Sequence, residues 1–161
     1  MEWTYFLVSM VVSVFSTLGA VYFRQKLRMK EDLIQRQQTA KELAKTTLMQ
    51  ELQDNLKLYL RKVPQNGGSL QDFLEHGNVE IQGTEKVFGK VYNFRLDEWD
   101  EVKYEIAKLD PKLADQLFRV YQQVEILYTH SLVDSPIFRI DRLGFRDFTE
   151  NCENIIKELM T

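Results

Sequence analysis

Residues Trp3–Phe23 (WTYFLVSMVVSVFSTLGAVYF) form a run of 21 residues with no charge and no proline. A helix of that length rises about 31 Å at 1.5 Å per residue, against a bilayer hydrocarbon core of about 30 Å. No other stretch of the chain restricts the outcome as strongly. The run predicts a single transmembrane helix over residues 1–23, with the rest of the chain tethered to it. The rival reading is a cleaved signal peptide, which has a basic start, a core of about 7–15 apolar residues and a small-residue cleavage site. Here only Met1 and Glu2 precede the core, and the basic residues follow it. Those features favour an uncleaved signal anchor, although Thr17–Ala20 (TLGA) imitates a cleavage site.

The flank sets a direction. Arg24, Lys26, Arg28 and Lys30 put four positive charges into residues 24–30, with no negative one. Basic residues beside a span stay on the cytoplasmic side. The expected topology therefore has the N-terminus outside and residues 24–161 in the cytoplasm, at the cell membrane. Trp3, Tyr5, Tyr22 and Phe23 suit the two interfaces as an aromatic belt. The four cations are also candidates for contact with the membrane surface, where each basic residue near anionic lipid contributes about 1 kcal/mol. Within the run, Ser9, Ser13, Ser16 and Ala20 recur at helical spacing with Thr17. Such a small-residue stripe lets two spans approach closely, which would make a homo-oligomer. The simpler reading is that the hydroxyls bond back to their own helix.

The remaining 138 residues suffice for a packed core. Gly (7) and Pro (3) are scarce while Phe (10) and Tyr (7) are frequent, which argues for a packed helical domain and against disorder. The fold class expected is all-α, a membrane helix followed by a bundle of four or five helices. Residues 24–62 hold no Gly or Pro and read as one long juxtamembrane helix, polar at Gln35–Lys41 and amphipathic from Leu48 through Leu52, Leu56, Tyr59 and Leu60. Leu27 and Ile34 are followed by Lys41, so no sustained heptad exists. The helical domain is placed at residues 63–161. Pro64–Ser69 breaks the chain, and Ser69 with Asp72 marks a new helix start. Residues 78–95 fit a short helix with loops or a small hairpin. Trp99, Val102, Ile106 and Leu109 then follow a helical period behind an acidic first turn. Asp110-Pro111 and Ser135-Pro136 are cap-then-proline starts. Between them Leu113, Leu117, Val120, Tyr121, Val124, Leu127 and Tyr128 define the central helix, and Phe145, Phe148, Cys152, Ile155, Ile156 and Leu159 define the last.

Chemistry is harder to find. Residues 63–161 carry eleven basic and eighteen acidic residues, a poor match to phosphate, so nucleic acid is not an expected partner. The chain has no phosphate-binding glycine loop, HExxH, CxxC or GxSxG motif. His76 and His130 lie in separate helical regions, and no carboxylate spacing joins them into a metal site. Cys152 lies on an apolar face between Glu150 and Glu153, where a thiol stays protonated. No catalytic, cofactor or metal residue is assigned and no cofactor is expected, which points away from an enzyme. An enzyme on a membrane-bound substrate would need an acid–base pair that spacing does not reveal. Tyr121 and Tyr128 are the candidates for a partner groove on the central helix. The function expected is a membrane-anchored interaction or scaffolding protein that presents a helical surface to a protein partner at the cytoplasmic face. The alternative is a small membrane-active effector, toxin-like or of phage-exclusion type, that acts through an oligomerising span.

Overall fold

The structure, a computed structural model, describes residues 2–62, 68–76, 93–132 and 142–161, with side chains for all of these except 2, 4–18, 130–132 and 142–143. The described residues form α-helices α1 (Glu2–Leu60), α2 (Leu70–Leu74), α3 (Asp97–Leu109), α4 (Pro111–Leu132) and α5 (Phe148–Met160), with a 3-10 turn at Arg142–Phe145. No strand occurs among them, so the described part of the chain is all-α, with five α-helices. Most of the segment 78–95, and the Ser135-Pro136 start, lie outside the described residues.

The chain divides into two compact units, Met1–Gln38 and Thr39–Thr161. In the first, every side chain described from residue 19 onward is exposed. These include Val21, Tyr22, Phe23, Leu27, Met29, Leu33 and Ile34. Among the described residues no helix is long and apolar enough to cross a membrane. The transmembrane helix expected at residues 3–23 is thus without support from the structure. The side chains of residues 4–18, which make up most of that run, lie outside the described set.

In the second unit burial begins at Ala40. Ala40, Ala44, Leu48, Leu52 and Leu56 descend one side of α1 at four-residue spacing, and all are buried. The two alanines keep the first turns of this face slim, so a neighbouring helix can approach. The Lys41 Nζ donates to Thr161 Oγ1 at 3.2 Å. At the other end of the face Tyr59 meets Phe148 edge-on, ring centroids 4.5 Å apart, and stacks near Phe145. The start of α5 therefore lies by Tyr59 and its end by Lys41, which sets α5 antiparallel to α1.

Local signals account for the start of α2 and for the junction of α3 with α4. Ser69 and Asp72 form a reciprocal capping box: Asp72 N–H donates to Ser69 Oγ at 3.1 Å and Ser69 N–H to Asp72 Oδ2 at 2.9 Å. Asp110 ends α3 and begins α4, its Oδ1 accepting from Lys112 and Leu113 N–H at 3.0 and 3.2 Å. With Pro111 at the first helical position, this single residue folds α3 and α4 into an antiparallel hairpin. Along α4 the residues Leu113, Leu117, Val120, Tyr121, Val124 and Leu127 are buried, as their period requires, while Tyr128 is half-buried. On α5, Phe148, Cys152, Ile155 and Leu159 are buried and Ile156 partly so.

Truncating a core side chain of α1 should be far more costly than truncating an exposed one. Leu52→Ala is expected to lose about 2–5 kcal/mol of unfolding free energy, and Leu33→Ala less than about 0.5, in urea titrations followed by circular dichroism.

Candidate functional site

Three polar residues of α1, Glu51, Asn55 and Tyr59, form a row one residue removed from the apolar row. All three are buried, Glu51 and Asn55 at 1% exposure. Helix α3 begins at Leu96 with no side-chain cap of its own. Its free N–H groups at Glu98 and Trp99 instead donate to the two carboxylate oxygens of Glu51, at 3.0 and 3.3 Å. These are the positions a capping side chain at the helix start would serve. One turn along α1, Asn55 holds the residue just before that start. Its Nδ2 donates to Arg95 O at 2.8 Å, and its Oδ1 accepts from Arg95 N–H at 2.9 Å.

The same device recurs at α5. Asp147 offers no side-chain cap there. Glu75 Oε1, from the turn after α2, accepts from Thr149 N–H at 3.1 Å and from Thr149 Oγ1 at 2.6 Å. Each glutamate lies within electrostatic reach of a buried tyrosine, Tyr121 for Glu51 and Tyr59 for Glu75. Neither hydroxyl completes a hydrogen bond of ordinary geometry. Burial, followed by the nearby carboxylate, raises both phenols and keeps them neutral.

Desolvation raises the Glu51 carboxyl above its ordinary 4.5, against the opposing effect of the N–H groups it accepts, first that of Glu98. A buried acid with a raised pKa is the kind of group that marks catalytic sites. Here its oxygens are engaged by the α3 backbone, so its chemistry is that of a cap. Cys152 is 1% exposed, and burial together with Glu75 and Glu153 pushes its thiol up to about 12. That thiol is inert as a nucleophile. His76 lies 4.0 Å from Asp72. Among the described residues no group of three or more side chains could hold a metal ion.

Among the described residues a groove of about 450 Å³ lies between α3 and α4. Trp99 forms its floor, stacked on Tyr121 with centroids 4.6 Å apart and planes 5° apart, and Phe118 meets Trp99 edge-on at 4.9 Å. Around the rim Lys103 pairs with Asp100 and Arg119 with Asp115. Glu125 adds a further carboxylate to the rim, which surrounds an aromatic patch of which Phe118 is 42% exposed. Of the two tyrosines expected to line a partner groove, Tyr121 lies beneath this one at 1% exposure, and Tyr128 is not among its lining residues. The exposed aromatic is Phe118, which lies outside the apolar period of the central helix.

The membrane-facing candidates sit elsewhere. Arg24, Lys26, Arg28 and Lys30 are all exposed on α1, as is Ala20. The side chains of Ser9, Ser13 and Ser16 lie outside the described residues. Compared with protein-family models, with curated proteins and with solved structures, the chain matches none.

Two outcomes test the capping assignment. Glu51→Ala frees two buried N–H groups and should lose about 2–4 kcal/mol of stability. Glu51→Gln keeps one acceptor and turns a donor toward the other N–H, so it should lose about 1–2 kcal/mol. Because the folded-state carboxyl is raised, the folded chain binds a proton more readily than the unfolded one. The Glu51 contribution is therefore full below 4.5 and declines as pH rises through the folded value. Urea midpoints against pH should show that decline in the wild type relative to Glu51→Gln. A parallel pair of profiles would contradict it. Separately, native Cys152 should resist a thiol reagent at neutral pH and react fully once the chain is unfolded.

Proposed function

We propose that the protein is a membrane-anchored helical interaction protein. Residues 1–23 serve as the anchor, and residues 24–161 stand at the cytoplasmic face of the cell membrane, where the folded unit offers a surface to a protein partner. The observation that carries this reading is the contrast within α1. From Ala40 to Leu56 its apolar row at four-residue spacing is buried in the folded unit. Before it, Val21, Tyr22 and Phe23 stand 57%, 66% and 66% exposed at the end of the charge-free run, directly ahead of four cations. Apolar surface of that kind is stable when lipid covers it, and the flanking cations match the cytoplasmic boundary.

The folded unit supports an interaction role over a chemical one. Its acids Glu51 and Glu75 serve helix starts, its thiol is buried, and its groove has an aromatic floor. Aromatic side chains at the floor of a shallow groove are the usual anchors for a protein partner.

Deleting residues 3–23 is expected to move the protein from the membrane fraction to the soluble fraction. Its far-UV circular dichroism and cooperative melting should persist, because the compact unit starts at Thr39. Retention of the deleted form in the membrane fraction would refute the anchor. Full cellular activity of a 31–161 form would refute the need for tethering.

A further inference from the structure

Arg24, Lys26, Arg28 and Lys30 occupy every second position of α1. Two residues of an α-helix advance about 200° around the axis, so successive cations point to nearly opposite sides. Arg24 and Arg28 share one side, and Lys26 and Lys30 share the other. An amphipathic helix lying in the membrane plane carries its cations on one face and its apolar residues on the other. This segment does neither. Leu27 and Met29, between the cations, are 50% and 66% exposed and likewise lie on different sides.

The cations are also unspent. Among the described residues none of the four forms an ion pair, although Glu31 and Asp32 follow directly. In the folded unit Lys57, Arg95, Lys103 and Arg119 each pair with a carboxylate, whereas Lys45, Lys108, Lys112 and Lys157 form no ion pair among the described residues. The segment from residue 24 to residue 30 rises about 9 Å. A bilayer of about 40–45 Å with a core of about 30 Å leaves a polar layer of about 5–7 Å on each side, so the four charges fit one headgroup layer with a short overhang.

We propose that Arg24, Lys26, Arg28 and Lys30 form a collar around α1 that binds the anionic headgroups of a phospholipid bilayer through which the helix stands upright. This rests on the anchoring reading above and adds to it a lipid class and an orientation. The Arg guanidinium groups engage headgroup phosphate through paired N–H donors and the Lys ammonium groups as point charges. Because the cations stand on two opposite sides of α1, both pairs contribute. A topology signal alone requires only the charges and predicts no preference among lipids.

The test uses the intact protein in flotation with vesicles of phosphatidylcholine alone, or with about one third phosphatidylglycerol added. The variants are R24Q/R28Q, K26Q/K30Q and the quadruple change, each checked by circular dichroism. Wild type should float with both vesicles and prefer the anionic ones. Each pair variant should lose the same part of that preference, at most about thirtyfold, and the quadruple variant should lose all of it. A preference unchanged in the quadruple variant, or lost through one pair only, overturns the collar and leaves the anchor standing. Binding to anionic vesicles only, with both pairs contributing, upholds the charge collar and overturns the anchor. Failure to float with either vesicle overturns both.

Discussion

The second unit depends on how α1 meets the start of α3. A helix beginning at Leu96 has N–H groups that nothing local can satisfy, and burying them unpaired would cost about 1–3 kcal/mol each. The Glu51 carboxylate accepts two of them, and Asn55 takes both backbone groups of Arg95. Glu51 is expensive to bury as a charge, as its raised pKa records. It is tolerable because its partners are fixed backbone dipoles at the positive end of a helix. The contact sets the level at which α3 starts along α1. Through the Trp99–Tyr121 stack, it also positions α4.

That contact changes the meaning of the polar residues in the folded unit. Acids that could be taken for catalytic groups are placed by helix geometry: Glu51 at α3, Glu75 at α5, Asp72 at α2 and Asp110 at α4. Each satisfies N–H groups that an α-helix leaves open at its beginning. Among the described residues the aromatic groove of α3 and α4 stands apart from these caps, and its rim carries the pairs Lys103–Asp100 and Arg119–Asp115 together with Glu125. The proposed interaction role assigns a protein partner to that groove.

Helix α1 carries two kinds of information on one continuous backbone. From Ala40 its burial follows a four-residue row and is explained by packing. From residue 19 to residue 39 the side chains are exposed on every side, apolar and basic alike. The proposed function and the proposed lipid collar both arise from that stretch. In each case the reason is that exposed apolar and unpaired basic groups in sequence match the layered polarity of a bilayer.

Much of the helical framework was legible in the sequence. Period and cap chemistry marked α2, α3, α4 and α5, because Ser69 with Asp72 and Asp110 with Pro111 act over three residues or fewer. The buried faces of α4 and α5 followed from spacing for the same reason. Tyr59 reads from its spacing as part of the apolar face, but Glu51 and Asn55, polar residues beside that face, ordinarily face water, so their burial was not legible. The groove was legible only in part: Tyr121 is a groove candidate from its place on the central helix, yet it is buried in a stack on Trp99, and Phe118, edge-on to Trp99, is the exposed aromatic. By itself the sequence determined which segments are helices and which faces are apolar, since those depend on neighbours within a turn or two. Tertiary structure alone decided which polar groups are buried, because their partners are backbone N–H groups some 40 to 75 residues away along the chain.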